Sequence, residues 1–130
     1  MLPMIYGKHL PLGECIVLEQ NTYQGYEYVV VSYGGHPCAY VRIPENHPLY
    51  NDVVNDGHDY LNISCHGGLT FDGTPICVTD GYWIGWDYAH YGDYIGYADT
   101  TFNVESKKWS TEEMIDECID VIGQLMEYEG

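Results

Sequence analysis

A chain of 130 residues with 45% hydrophobic and 15% aromatic side chains can fill a core, which excludes the disorder of highly charged, apolar-poor sequences. Twenty Asp and Glu stand against four Lys and Arg (Lys8, Arg42, Lys107 and Lys108), for a formal charge of −16. That balance speaks against direct binding of nucleic acid, because counterion release needs clustered Lys and Arg, and this surface repels phosphates within a Debye length of about 8 Å.

The expected organisation is one compact domain over residues 1–130. The opening residues MLPMIYGKHLPLGECIVLEQ lack the basic start and continuous apolar run of a signal peptide, and no apolar run reaches the length of a membrane span. A cytoplasmic protein without a membrane partner is therefore expected. Cys15, Cys38, Cys65, Cys77 and Cys118 form no C-x-x-C pair and are odd in number, so all five are expected as reduced, mostly buried thiols.

The first predicted elements are strands at YEYVVVSY (26–33) and CAYVRIP (38–44), rich in β-branched and aromatic residues, joined as a hairpin through Gly34 and Gly35. PENHPLYNDVVNDGHD (44–59) carries two prolines and many Asn and Asp, and is expected as a long surface loop. Three short strands are expected at YLNISC (60–65), TPICVTD (74–80) and GYWIGWDY (81–88). A helix over about 110–127 starts at an S-x-x-E capping box, Ser110 and Glu113, with Trp109 and Met114 placed as a hydrophobic staple. Ile115, Cys118, Ile119, Ile122, Leu125 and Met126 give its apolar face. Glu112, Asp116, Glu117 and Asp120 give an acidic face, well placed against the helix dipole and free to meet a partner. Strands first and a helix last predict an α+β fold, a small antiparallel sheet packed against one C-terminal helix.

Candidate chemistry concentrates at CHGGLTF and WIGWDYAHYGDY. Gly67 and Gly68 after His66 allow a turn whose backbone N–H groups, with the Thr70 hydroxyl, suit a small anion nest. Trp86, Asp87, His90 and Asp93 stand at a strand end that can converge on it, giving a ligand-binding set of His66, Gly67, Gly68, Thr70, Trp86, Asp87, His90 and Asp93. His66, Asp87 and His90 are the alternative catalytic residues, and Cys65 with His90 and Asp87 can be written as a nucleophilic pair. No metal and no cofactor are expected, since Cys65 and His66 would point to opposite faces of a strand and no spacing supplies a zinc ligand set.

HGGLT (66–70) followed by W-I-G-aromatic-D-x-A-H-x-G-D (83–93), with YVRIPENHPLY before and a capped acidic helix after, resembles small uncharacterised proteins of bacteriophages and prophages over roughly residues 38–126. The resemblance implies a phage origin and, for a small acidic protein in the host cytoplasm, a counter-defence role of the anti-CRISPR kind. Its partner would be a basic, nucleic-acid-handling host defence protein, engaged as a phosphate backbone would engage it and without catalysis. The alternative is a small-nucleotide signal bound or hydrolysed at the His66/Asp87/His90 pocket. That reading must find its cations in so few basic residues, a shortage a homo-oligomer would ease. A third reading makes the His and Asp cluster a hydrogen-bonded core network in a structural phage protein.

Overall fold

The computed structural model describes residues 15–32, 37–88 and 110–129. Five strands, β1 (Ile16–Tyr23), β2 (Tyr26–Ser32), β3 (Pro37–Arg42), β4 (Phe71–Gly73) and β5 (Trp83–Asp87), form one antiparallel sheet in the order β1-β2-β3-β5-β4. Two helices accompany it, α1 (Tyr50–Asp56) and α2 (Thr111–Glu127), the latter packed on the sheet. The fold is α+β, as composition and element order predict.

Strand β2 is a near-continuous apolar run because both faces of the sheet are covered. By the period of two, Tyr26, Tyr28 and Val30 face α2 and join Ala39, Val41, Ile43, Ile84, Trp86 and Tyr88 in the main core. Val29 and Val31 face the other way, onto Cys38, Tyr40 and Trp83, where Phe71, Cys77 and Val78 lie over them. Helix α2 starts with the reciprocal bonds of the capping box, Ser110 N to Glu113 Oε1 at 3.0 Å and Glu113 N to Ser110 Oγ at 3.1 Å. It buries Met114, Cys118, Val121, Ile122 and Leu125, while Ile115 and Ile119 are half-buried and Met126 is exposed. The expected staple residue Trp109 and the hairpin glycines Gly34 and Gly35 lie outside the described residues.

Several local expectations are corrected. Strand β1 was not foreseen, since only its first half is apolar and most of it is exposed at an edge; the tight turn at Gln24 (φ 52°) and Gly25 (φ 85°) fixes its pairing. Residues 44–59 are not a loop throughout, because Val53 is an apolar anchor that helix α1 turns fully into the core, leaving Asp52, Asn55 and Asp56 exposed. A 3-10 turn at His58–Tyr60 follows. Residues 60–65 run beside α2 without joining the sheet. Their backbone groups find side chains instead: Gln124 accepts from Ser64 N (2.7 Å) and donates to Ser64 O (2.8 Å), and Tyr128 Oη accepts from Asn62 N (2.9 Å). Residues 74–80 form a folded loop closed by the Thr74 hydroxyl on Gly81 O (2.5 Å), and the short strand lies just before it, at β4.

The cysteine expectation holds for three residues and fails for two. Cys38 and Cys118 are buried and Cys65 is half-buried, all three free, but Cys15 and Cys77 are joined in a disulfide, with Cα atoms 6.1 Å apart. The pair is brought together by the sheet rather than by sequence spacing. No helix among the described residues is long and apolar enough to cross a membrane.

Gly85 fixes the middle of the sheet. The Tyr40 ring lies over it, edge to face with Phe71 at 5.3 Å, and a Cβ at Gly85 would stand 2.3 Å from Tyr40 Cδ1 and 3.1 Å from the Ala39 carbonyl. Gly85→Ala is expected to cost about 1–3 kcal/mol in urea unfolding, because Tyr40 must leave its site; an unchanged midpoint would show that the ring moves freely.

Candidate functional site

Glu117 is the point where helix, sheet and turn meet. Its Oε1 accepts from the Tyr88 hydroxyl and, at 3.2 Å, from Trp86 Nε1; its Oε2 accepts from the backbone N–H of His66 at 2.6 Å. Trp86 Nε1 also donates to Tyr88 Oη at 2.9 Å. The His66 ring stacks on the Tyr88 ring, centroids 5.1 Å apart and planes 9° from parallel. Burial, followed by the bond to Glu117, pushes the Tyr88 phenol far above its ordinary range. Tyr88 therefore stays a neutral donor.

Gly67 (φ 71°) and Gly68 (φ 84°) make the turn expected of them, and Gly68 N closes it on Cys65 O at 2.9 Å. Two of the turn's donors are thus already engaged: His66 N holds Glu117 and Gly68 N holds the Cys65 carbonyl. The would-be anion nest contains the protein's own carboxylate. Thr70 continues into the sheet through N–H to Gly85 O (2.9 Å), and its hydroxyl donates to Asp87 Oδ2 at 3.3 Å. His66, Gly67, Gly68, Thr70, Trp86 and Asp87 thus gather at one end of β5, while His90 and Asp93 lie outside the described residues. Burial, with Glu117 nearby, pushes the Cys65 thiol up to about 12, so it is a poor nucleophile at neutral pH.

Of the four acidic positions expected to form a face of α2, three are exposed, Glu112, Asp116 and Asp120. They recur every four residues, about 6 Å apart along the axis, as one row of carboxylates. Glu117 leaves that row and turns inward. The signal was present in the pattern: Glu117 sits one turn from Met114 and from Val121, beside the apolar stripe. The end of the helix is held as firmly. Leu49 N–H donates to His47 Nδ1 (3.0 Å), so Nε2 carries the proton and donates to the Leu125 carbonyl (2.9 Å); the Tyr26 hydroxyl donates to Glu129.

Two further polar groupings were missed in the sequence. Asp72 Oδ2 accepts from the His58 ring (2.5 Å) and backbone (3.1 Å), and Asp72 Oδ1 accepts from the Tyr82 hydroxyl (2.5 Å). These residues are 14 and 10 positions from Asp72, so only the sheet edge unites them. Arg42, the only Arg or Lys among the described residues, pairs with Glu27 at 2.9 Å and lies 3.7 Å from Asp80. It lines an open groove of about 450 Å³ with Gly25, Glu27, Pro44, Glu45 and Asn46. Among the described residues no group of three or more His, Cys, Asp or Glu is arranged to hold a metal ion.

Compared with known proteins, the chain matches no family model, no curated protein and no solved structure.

Glu117→Gln leaves one acceptor oxygen for three donors and is expected to destabilise the fold by about 1–3 kcal/mol, measured by chemical unfolding. A neutral result would mean that water replaces the carboxylate. Asp72 supplies a pH prediction. Burial alone would raise its pKa, but the bonds from Tyr82 and His58 outweigh that and hold it below its ordinary value. Its contribution is full above the unfolded-state value of about 3.9 and is lost as pH falls through that value and the lower folded one. Asp72→Asn should therefore flatten the acid limb of stability against pH relative to wild type.

Proposed function

We propose that the protein is a non-catalytic acidic inhibitor that presents the α2 carboxylate row to a basic, nucleic-acid-handling host protein, as a phage-encoded counter-defence factor of the anti-CRISPR kind acting in the host cytoplasm. The observation that carries this reading is the division of labour on one helix. Glu117 turns inward to fix α2, and Glu112, Asp116 and Asp120 stay exposed on a chain of formal charge −16. A rigid row of carboxylates can occupy a groove built for phosphates without spending entropy on ordering itself, and the long-range field raises the encounter rate. The phage origin and the kind of host target rest on the resemblance of the HGGLT and WIG-aromatic-D segments.

The nucleotide-pocket reading draws less support. The nest donors at His66 and Gly68 are engaged within the chain, and Arg42 is already paired with carboxylates. A phosphate ligand would have to displace Glu117 or Glu27 and leave a carboxylate to be resolvated.

The reading predicts how binding responds to charge. A host protein captured from a defended-cell lysate by the wild-type chain should be retained at low salt and released at high salt. The triple neutralisation Glu112→Gln, Asp116→Asn, Asp120→Asn should weaken capture by about tenfold or more at low salt. Neutralising the equally exposed Asp52, Asp56 and Asp59 should weaken it far less. Salt-insensitive capture, or equal loss in both triples, would sink the proposed face; a bound nucleotide lost on His66→Ala would favour the pocket.

A further inference from the structure

The second face of the sheet has a cover of a particular construction. Val29, Val31, Tyr40 and Trp83 are buried there, with Cys77 and Val78 of the 74–81 loop packed against them. Three hydrogen bonds shape this loop from within or from its neighbour in β5: the Thr74 hydroxyl to Gly81 O at 2.5 Å, Val78 N to Pro75 O at 3.2 Å, and Trp83 Nε1 to Asp80 O at 2.8 Å. The Arg42–Asp80 pair at 3.7 Å reaches outside but is solvated, since the Asp80 side chain is 77% exposed. Ile76, beside Cys77, is 61% exposed and contributes little burial. Buried Pro75 and the packed Cys77 and Val78 seat the loop on the face, and Cys77 adds a covalent tie to Cys15, 62 positions earlier and next to the start of edge strand β1.

We propose that the Cys15–Cys77 disulfide is a redox-controlled clamp that holds the 74–81 loop over the second apolar face of the sheet. The inference is independent of the acidic-inhibitor reading. Closed, the bond ties one edge of the sheet to the connection between β4 and β5, and Val29, Val31, Tyr40 and Trp83 stay covered. A dithiol reductant opens it by two exchanges. One reductant thiolate attacks a sulfur of the pair and releases the other cysteine; the second reductant thiolate then displaces the first cysteine and closes the reductant's own disulfide. One S–S bond breaks and one forms, and the two electrons leave both cysteines as thiols. The main core is untouched by this change, because Cys118 and Cys65 lie on the opposite side of the sheet and are free in both states. A reducing cytoplasm would keep the clamp open, and an oxidising compartment or an oxidative burst would shut it.

The experiment uses the whole chain, purified without reductant, and hydrogen exchange read by mass spectrometry before and after dithiothreitol. Denatured, the oxidised protein should show three reactive thiols, Cys38, Cys65 and Cys118, and the reduced protein all five. On reduction, exchange in peptides covering 74–81 and the start of β1 should speed by about tenfold or more, with α2 and the β2–β3 pair unchanged. Cys15→Ser and Cys77→Ser, without reductant, should each reproduce the reduced pattern. Five reactive thiols in protein purified under air, identical exchange in both states, or an equal rise across the whole chain would each overturn the clamp, the last by making the bond a global staple. If either variant fails to fold, reduced wild type supplies the same comparison.

Discussion

A single carboxylate organises the end of this molecule where helix, sheet and turn meet. Glu117 lies on the first half of α2, and its two oxygens draw in an indole, a phenol and a backbone amide from three places in the chain. The apolar stripe of α2 would bury itself against the sheet in more than one rotational setting, since hydrophobic contact has little direction. The three donors remove that freedom. With Trp86 and Tyr88 buried, a misplaced Glu117 would leave their polar atoms unsatisfied, so one setting of the helix is strongly preferred. His47 and Tyr26 hold the far end of α2, on Leu125 O and Glu129.

That constraint links packing to the proposed function. Fixing α2 fixes which carboxylates face outward, and Glu112, Asp116 and Asp120 stand as one row on its exposed face. The same interaction anchors the glycine turn at His66, so a motif resembling a phosphate nest becomes a structural joint. Charge and joint act together: the acid that turns inward fills the anion site, and the acids that turn outward form the surface.

The two faces of the sheet are held by different chemistry. The α2 side depends on a large apolar cluster and a hydrogen-bonded network. The second side depends on a smaller cluster, the aromatic pair Tyr40 and Phe71 over Gly85, and a covalent tie. Such asymmetry leaves the 74–81 loop covering the smaller cluster, where the covalent tie adds to the packing of Cys77 and Val78.

Composition, the β-branched runs at 26–32 and 37–42, and the capping box at Ser110 were enough to determine an antiparallel sheet with a C-terminal helix, because these signals are local and agree with one another. The charge balance likewise belonged to the sequence alone. Local pattern misread residues 44–65, where one buried valine outweighs many turn formers and a glutamine supplies the backbone bonds of a strand that never forms. Only the tertiary structure decided that Glu117 faces inward, that His58, Asp72 and Tyr82 share one network, and that Cys15 meets Cys77. Each joins residues from separate elements, and a contact across a sheet or between helix and turn leaves no periodic trace in the chain that makes it.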